Sequence, residues 1–442
     1  MQQKKTISFG FRGWMLIIYQ AIAFLSFMVF TNYPMNILAD MYGGAQKIST
    51  VYTVSILIGI IAQIFIARFI GKIKNVKRFS ITLGIISFVL ALGVIFIPPA
   101  SQGLWLVCYG LETFFVVLYC TFAIGVLVGQ WFPRRKGTVM GIATFAFPIA
   151  NGLIGLFAKS VFNGPVPNVF GAFLPYLILS IVGLLIGAIF VTDYPEQCGA
   201  FRDNDRNITP EVAKAMMEAE IKAKANSVWT VGRTLKTRDF WFITIPMGLL
   251  LFCAVGLMTQ TMMILGNFAA ELEPIGGFGI VMLGVAVVAC LGSWLLGVLD
   301  TKFGTKAAIT ISVAVMVVGG FIGSIRSLPA LLIGMACVAV FMGASSNFTV
   351  SAAAQYWRRE DFPNVFACVN PIANAIQAVG PMIIAILATT RGYQAAFIAV
   401  GIFGIISLIL ILLFNSKHVK LVDDKYRTAA GLPLDDALVG RK

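Results

Sequence analysis

The sequence has 442 residues, of which 59% are hydrophobic and 12% are charged. Because about a quarter of the residues in a soluble globular protein are charged, this composition excludes an ordinary soluble fold and indicates a protein surrounded by lipid. The formal net charge of +14 is of the size found in nucleic-acid-binding proteins. The basic residues are spread over seven separate segments, however, and do not form one surface, so we expect no nucleic-acid partner.

Twelve apolar runs fill the chain, and each is long enough to cross a bilayer as a helix, which takes about 20 residues. The first six are 13–37, 48–70, 80–97, 104–131, 137–157 and 172–191, and the second six are 240–265, 276–298, 307–325, 331–355, 365–389 and 395–414. Only helices and closed barrels satisfy the backbone in lipid, and these runs are too long for barrel strands. The predicted fold class is an all-α membrane protein with twelve transmembrane helices in two pseudo-symmetric six-helix bundles.

Basic residues mark one end of the predicted helices. All but four of the 33 Lys and Arg residues fall in the termini and in every second loop, the exceptions being Lys47, Lys159, Arg326 and Arg391. Loops rich in Lys and Arg stay in the cytoplasm. The pattern therefore predicts a multi-pass protein with both termini in the cytoplasm, and the short outer loops favour the cell (inner) membrane of a bacterium.

The two halves of the chain carry signs of an internal repeat. The tetrapeptide PIAN at 148–151 recurs at 371–374, and the same spacing places Arg135 on Arg358. Parallel repeats of six spans are one transporter architecture. The predicted divisions are an N-terminal bundle (1–192), a solvated cytoplasmic linker with a short helix (193–238), a C-terminal bundle (239–416) and a flexible cytoplasmic tail (417–442).

Residue types that carry chemistry are sparse. Six of the seven Cys lie in apolar spans and Cys198 is cytoplasmic, so we expect no disulfide and no metal site. The only histidine, His418, lies in the tail, which excludes a His proton relay within the membrane. Since no nucleophile–base pair, phosphate loop or metal constellation is present, we expect neither an enzyme nor a cofactor.

Four segments resemble the major facilitator superfamily. Residues 131–141 (WFPRRKGTVMG) are similar to the signature that enters helix five of monocarboxylate transporters and oxalate–formate antiporters. Residues 193–196 (DYPE) and 235–241 (LKTRDFW) are similar to the same relatives, and 297–306 (GVLDTKFGTK) resembles the superfamily's loop motif between helices eight and nine. The resemblance implies the twelve-helix facilitator fold and transport of small organic anions by alternating access.

The loop motif implies a gate on the cytoplasmic side. A carboxylate at a helix end can pair with basic residues of a neighbouring loop and with a helix N-terminus. We therefore expect Asp300 to contact Arg358 or Arg359 when that side is closed. The other members of the predicted gating loops are Arg134, Arg135 and Lys302.

Glu112 is an acidic residue well inside an apolar span, where a buried charge is costly. We interpret it as a proton-coupling carboxylate or as the counter-ion of a cationic group. The alternative is a structural ion pair with Lys159 or Lys47. Tyr119 lies seven residues later on the same helix face, so both side chains are candidates to line a substrate cavity.

Two spans of the second half carry rows of polar side chains, each on one helix face. They are Asn370, Asn374 and Gln377 in span eleven, and Asn347, Ser351 and Gln355 in span ten. We expect these rows to line an aqueous cavity and to donate hydrogen bonds to a carboxylate, the alternative being hydrogen bonding between helices. Weaker candidates for the cavity are Tyr19, Gln20 and Gln260.

Residues 276–298 and 365–389 contain no Lys or Arg, although related carriers of carboxylates hold their substrates with such cations. Either amides, hydroxyls and helix ends hold an anion, or the substrate is neutral, zwitterionic or cationic. The leading hypothesis is a monomeric secondary transporter of a monocarboxylate-like anion, coupled to protons or to a counter-substrate. The alternatives are an exporter of hydrophobic or cationic compounds and a non-transporting membrane sensor.

Overall fold

The computed structural model describes residues 9–69, 75–132, 139, 142–143, 145–153, 168–205, 211–212, 215, 227–342, 345–358 and 361–434. At 67–69, 121–122, 345–347 and 363 it describes the backbone only. All regular secondary structure within these ranges is helical, as expected for an apolar chain whose backbone must satisfy its own hydrogen bonds in lipid.

The helices follow the apolar runs of the sequence. In the first half they are α1 (Phe11–Ile37), α2 (Ala45–Phe69), α3 (Val76–Phe96), α4 (Gln102–Val117), α5 (Ile124–Trp131) and α6 (Val169–Phe190). In the second half they are α7 (Arg238–Met258), α8 (Gly277–Phe303), α9 (Thr305–Gly323), α10 (Leu328–Ala339), α11 (Ser345–Tyr356), α12 (Phe362–Arg391), α13 (Tyr393–Leu413) and α14 (Ser416–Ala429). A π-helical turn, Leu118–Ala123, joins α4 to α5, so that Pro99–Trp131 forms a single candidate span.

Ten helices in the described part of the chain are long and apolar enough to cross a membrane, and they coincide with ten of the twelve predicted spans. The predicted fifth span, 137–157, lies mostly outside the described residues. The tenth is divided into α10 and α11. The seventh is also divided, because α7 ends at Met258 and a separate short helix, Thr261–Leu265, follows. The prediction of one continuous helix to residue 265 is therefore wrong.

Glycines bring α7 and α12 into close contact. A Cβ added to Gly380 would lie 2.4 Å from the carbonyl oxygen of Phe252, and one added to Gly256 would lie 3.0 Å from the carbonyl of Gly380. Because lipid supplies little hydrophobic drive between helices, close packing of small residues holds such pairs together. From the first half, α2 also packs along α12, which makes α12 a central element of the molecule.

We expect Gly380→Ala to destabilise the protein by about 1–3 kcal/mol, because the new Cβ overlaps backbone atoms that cannot move aside cheaply. Gly297→Ala in α8 is the matched control, since a Cβ there meets no atom within 4 Å. Thermal unfolding in detergent should show a lower Tm for Gly380→Ala only. Equal Tm values for the two variants would contradict the close backbone contact.

The tail is ordered over α14, so the prediction of a flexible tail is wrong for 416–429. One anchor lies at the start of α7, where the buried carboxylate of Asp239 accepts a hydrogen bond from the Asn415 N–H at 2.9 Å and contacts the ring of His418. The polar composition of this segment predicts a solvated tail. In the structure the helix is amphipathic, and the face that carries Val419 is buried against the second half.

A buried polar cluster forms the second anchor of the tail. Asp423 accepts a hydrogen bond from Trp229 Nε1 at 2.9 Å and pairs with Arg358 Nε at 2.9 Å and with Arg427 Nε at 3.2 Å. Arg427 also pairs with Asp361 at 3.4 Å. All five side chains are buried. We call these five residues the tail cluster; they join the linker, the segment between α11 and α12, and α14.

Asp361 fixes the end of the linker to this cluster. Its Oδ1 accepts hydrogen bonds from Ser227 Oγ at 2.7 Å, from the Val228 N–H at 2.9 Å and from the Trp229 N–H at 3.3 Å. Burial raises the pKa of the Asp361 carboxyl, whereas the hydrogen bonds from Ser227 and Trp229 and the charge of Arg427 act in the opposite direction. The last part of the linker is therefore packed, although the sequence predicts a solvated segment.

Candidate functional site

Several hydrogen bonds join the two halves of the molecule at one end. We call the end that carries the basic loops the basic face and the opposite end the distal face. At the distal face, Asn36 of α1 forms hydrogen bonds with Met258 and Met262, on either side of the break after α7. Gln260, within that break, donates from Nε2 to Ser49 Oγ of α2 at 2.9 Å. We call these five residues the distal gate.

Further contacts between the halves lie nearer the middle of the helices. Thr53 Oγ1 donates to the carbonyl oxygen of Ala378 at 2.7 Å, and Asn151 Nδ2 lies 3.5 Å from Met342 Sδ. Between described residues, no hydrogen bond or ion pair joins the halves at the basic face. Residues 26–37 of α1 are all buried, whereas its first turns carry exposed side chains. The passage between the halves is therefore closed at the distal face.

The predicted polar row of span eleven lies on α12. Asn370, Asn374 and Gln377 are each half-exposed. They occupy the stretch of α12 between its start at the basic face and the contact at Ala378. Among the described residues, no side-chain hydrogen bond of these three amides is present. Half-exposed donors on a helix that borders the contact between the halves can bind the polar groups of a solute.

The predicted polar row of span ten is not kept together. Ser351 is half-exposed on α11, and the side chain of Asn347 lies outside the described residues. Gln355 Oε1 accepts a hydrogen bond from the Thr305 N–H at 2.7 Å. Because that N–H belongs to the first turn of α9 and has no partner within its helix, Gln355 caps α9 and does not line a cavity.

Tyr19, Gln20 and Tyr119 are buried inside the first half. The Tyr19 hydroxyl lies 3.3 Å from Ser80 Oγ, and its ring packs edge-to-face on the ring of Tyr119 with 5.9 Å between centroids. Tyr119 in turn lies against Gly84 of α3. These two tyrosines join α1, α3 and the π-helical turn after α4 within one bundle. Their role in lining a substrate cavity remains a prediction.

Glu112 is fully buried on α4. Its Oε1 accepts a hydrogen bond from Ser87 Oγ of α3 at 3.2 Å, and its Oε2 has no partner among the described residues. Lys47, one of its two predicted ion-pair partners, has an exposed side chain and forms no ion pair with any described acid. The other, Lys159, lies outside the described residues. A carboxyl group in this setting is expected to be neutral unless a cation reaches it.

A small pocket adjoins Ser87. Its polar lining comes from Ser26, Ser87, Tyr119 and Ser180, and it has room for about one water molecule. Ser26 and Ser180 also share a hydrogen bond of 2.8 Å. The pocket lies within the first half, away from the distal gate. The pocket beside Ser87, the hydrogen-bond partner of Glu112, can therefore take a water molecule.

The sequence matches the family model of the Major Facilitator Superfamily over residues 15–296 and 250–435. The chain belongs to this superfamily. The match confirms the resemblance at the level of the superfamily and, with the helical architecture, the predicted fold class. It does not separate the superfamily's substrate classes, so the likeness to oxalate–formate and monocarboxylate carriers remains a prediction.

Solved structures share the fold of this facilitator. One is a bacterial homologue of the human lysosomal transporter Spinster, in an inward-facing and unoccupied conformation, with a TM-score of 0.63 and 14% identity; the match covers 93% of this chain and 98% of that chain. Another is the nucleoside transporter NupG, with a TM-score of 0.63, 12% identity and coverage of 91% and 99%. No curated protein matches the sequence. Family and fold together indicate a multi-pass membrane transporter, not an enzyme.

The superfamily loop motif, 297–306, lies entirely within the described residues. Asp300 Oδ1 accepts a hydrogen bond from Thr305 Oγ1 at 2.6 Å, and Lys302 is exposed. Arg358 pairs with Asp423 in the tail cluster. The predicted contact between Asp300 and Arg358 is therefore not formed in this conformation, because the tail cluster holds the guanidinium. The remaining predicted gating residues, Arg134, Arg135 and Arg359, lie outside the described residues.

Sequence reasoning missed most of the distal gate. It named Gln260 as a weak cavity candidate but not Asn36 or Ser49. One signal was available, since Asn32 and Asn36 lie four residues apart near the end of the first span, where polar side chains usually bond to another helix. Their spacing does not identify the partner, which lies in the other half of the chain.

Proposed function

We propose that this facilitator is a secondary transporter that carries a small organic anion across the cell (inner) membrane by alternating access, as a monomer. The observation that supports it best is that, between described residues, hydrogen bonds join the halves at the distal gate and near the middle of the helices but not at the basic face. If the basic loops are cytoplasmic, as the distribution of Lys and Arg favours, this conformation is inward-facing. Rocking of the bundles 1–192 and 239–416 against each other then exposes the site to the other side.

The amide row of α12 is the proposed substrate-binding surface. Asn370, Asn374 and Gln377 present N–H donors, which suit a carboxylate, and they lie beside the contact that closes the passage. Helices α8 and α12 carry Lys or Arg only at their ends. Recognition by neutral donors favours an anion of low charge, such as a monocarboxylate, because a dianion left without a cation loses more hydration than amides restore.

We expect Asn374→Leu to lower the rate of carboxylate counterflow at least about tenfold, because a hydrogen bond to a charged group contributes about 1.5–3 kcal/mol. Asn267→Leu is the matched control, since Asn267 is an exposed amide near the distal face and bonds only to the carbonyls of Met263 and Ile264. Initial rates in vesicles give the comparison. Unchanged counterflow in Asn374→Leu would assign the amide row to contacts between helices.

Glu112 is the proposed proton site of the transporter. A buried carboxyl group with one unpartnered oxygen can bind and release a proton as the bundles move. The competing function, export of cationic compounds with Glu112 as counter-ion, requires the cation to reach this group. The pocket beside Ser87, which donates to Glu112, has room for about one water molecule, and this favours the proton.

The test of the proposed function is solute counterflow. Vesicles containing the purified protein are loaded with a panel of short carboxylates, amino acids, amines and nucleosides, and exchange of each labelled solute is followed with an internal pH dye. Exchange of a carboxylate supports the proposal, and accompanying proton movement supports symport over exchange. Exchange of an amine or a nucleoside alone would overturn the anion assignment. Binding without counterflow would favour a sensor.

A further inference from the structure

No proline lies at the break after α7. The five residues 257–261 (LMTQT) contain neither Pro nor Gly, Gly256 lies in the last turn of α7, and Pro246 is three turns away. At the break the Thr259 hydroxyl donates to the Gly256 carbonyl at 3.0 Å, and the Thr261 hydroxyl donates to the Met258 carbonyl at 2.9 Å. These bonds accommodate the bend, but threonines also make them within straight helices. These local features permit a break, and a contact from the other half adds to them.

The side chain of Asn36 forms hydrogen bonds with two backbone groups at the break. In an unbroken helix the Met262 N–H would donate to the Met258 carbonyl. Here Asn36 Oδ1 accepts from the Met262 N–H at 3.2 Å, and Asn36 Nδ2 donates to the Met258 carbonyl at 3.3 Å. Asn36 Nδ2 also donates to the Asn32 carbonyl of its own helix at 3.1 Å. The amide thus bonds to the two backbone groups that an unbroken α7 would join to each other.

We propose that Asn36 is the latch of the distal gate and that closing this gate and breaking α7 are one event. When the halves separate, Asn36 withdraws; the Met262 N–H loses this acceptor, whereas the Met258 carbonyl keeps the bond from the Thr261 hydroxyl. An unpaired backbone N–H is costly away from water, so it donates to the second lone pair of the Met258 carbonyl and the helix continues through Gln260. Gln260 then turns away from Ser49, which removes the second contact of the gate.

Asn36 is therefore a positioning residue: it acts on the equilibrium between conformations and not on the solute. The inference rests on the alternating-access part of the proposed function and is independent of the substrate. It also gives Gln260 a role in gating in place of the predicted role in the cavity, since its side chain is fully buried between the halves.

Pulsed electron paramagnetic resonance on the full-length protein in lipid vesicles tests the latch. In a cysteine-free background, Gln46→Cys in α2 and Ala270→Cys beyond the break carry spin labels on exposed positions of opposite halves. We expect Asn36→Leu to raise the long-distance, distal-open population about tenfold, the effect of losing two hydrogen bonds of ordinary strength. Asn32→Leu is the matched control, because among the described residues that side chain bonds only to Met28 and Thr31 of its own helix.

A second label pair tests the coupling to the helix break. Lys236→Cys, in the linker just before α7, and Ala270→Cys, beyond the break, lie at either end of the seventh span, and both positions are exposed. Their separation should lengthen in Asn36→Leu together with the distance between the halves. Opening of the halves with no change in this second distance would overturn the coupling, and no opening at all would overturn the latch.

Asn36→Asp keeps the proposal testable if the Leu variant does not fold. The carboxylate still accepts from the Met262 N–H but cannot donate to the Met258 carbonyl, so an intermediate shift toward the open state is expected, and a distribution like that of the parent would refute the role of the amide. Failure of every solute in counterflow would refute the proposed transport function but leave these distances unaffected.

Discussion

Asp423→Ala is expected to destabilise the protein by about 3–5 kcal/mol, because it leaves the buried guanidinium of Arg358 without its carboxylate. Arg358 is 3% exposed and its Nε lies 2.9 Å from Asp423 Oδ2, so water cannot replace the lost partner without rearrangement. Arg427 keeps Asp361, but Trp229 Nε1 loses its acceptor as well. The Tm in detergent should fall by several degrees, and α14 and residues 227–229 should exchange amide hydrogen for deuterium faster.

The neighbouring carboxylate provides the control for this experiment. Asp424 lies one residue further along α14, is half-exposed and forms no ion pair with a described residue. Asp424→Ala should therefore change the free energy of unfolding by less than about 1 kcal/mol, because exposed charges contribute little to stability, and its Tm should stay close to that of the parent. Similar losses in both variants would mean that removal of helix charge, and not rupture of the tail cluster, causes the effect.

Glu112→Gln is expected to abolish proton movement coupled to transport while leaving exchange of labelled solute intact. Glutamine has the shape of the protonated carboxyl group and can still accept the hydrogen bond from Ser87 Oγ, but it cannot release a proton. Uptake driven by a pH gradient should fall at least about tenfold, while counterflow, which needs no net proton transfer, should change little. The pH dye and labelled solute, measured in the same vesicles, separate the two rates.

Two further variants make this result specific. Ser87→Ala removes the hydrogen bond to Oε1 but keeps the titratable group, so it should retain coupling with a shifted pH dependence. Glu271→Gln, on the exposed distal surface, should behave like the parent. If Glu112→Gln retains full uptake driven by the pH gradient, Glu112 is a structural residue and coupling must lie elsewhere or be absent.

The sequence by itself determined the membrane class, ten of the spans seen here and the alternation of basic loops. These features are local, because insertion into lipid depends on the summed apolarity of about 20 consecutive residues and on the charges that flank them. The superfamily was readable for a similar reason, since its motifs are short and contiguous. The position of Glu112 inside a span followed from the same count of apolar residues.

Only the tertiary structure decided which polar side chains serve the passage between the halves. Asn36 and Met258 are 222 residues apart, and Asp423 and Trp229 are 194 apart, so no helical period relates them. The same limit explains why Gln355 was grouped with Ser351, although it caps α9, and why the tail was taken as solvated. Face and spacing show which side chains of one helix lie together, whereas the partner across a contact depends on how separate helices pack.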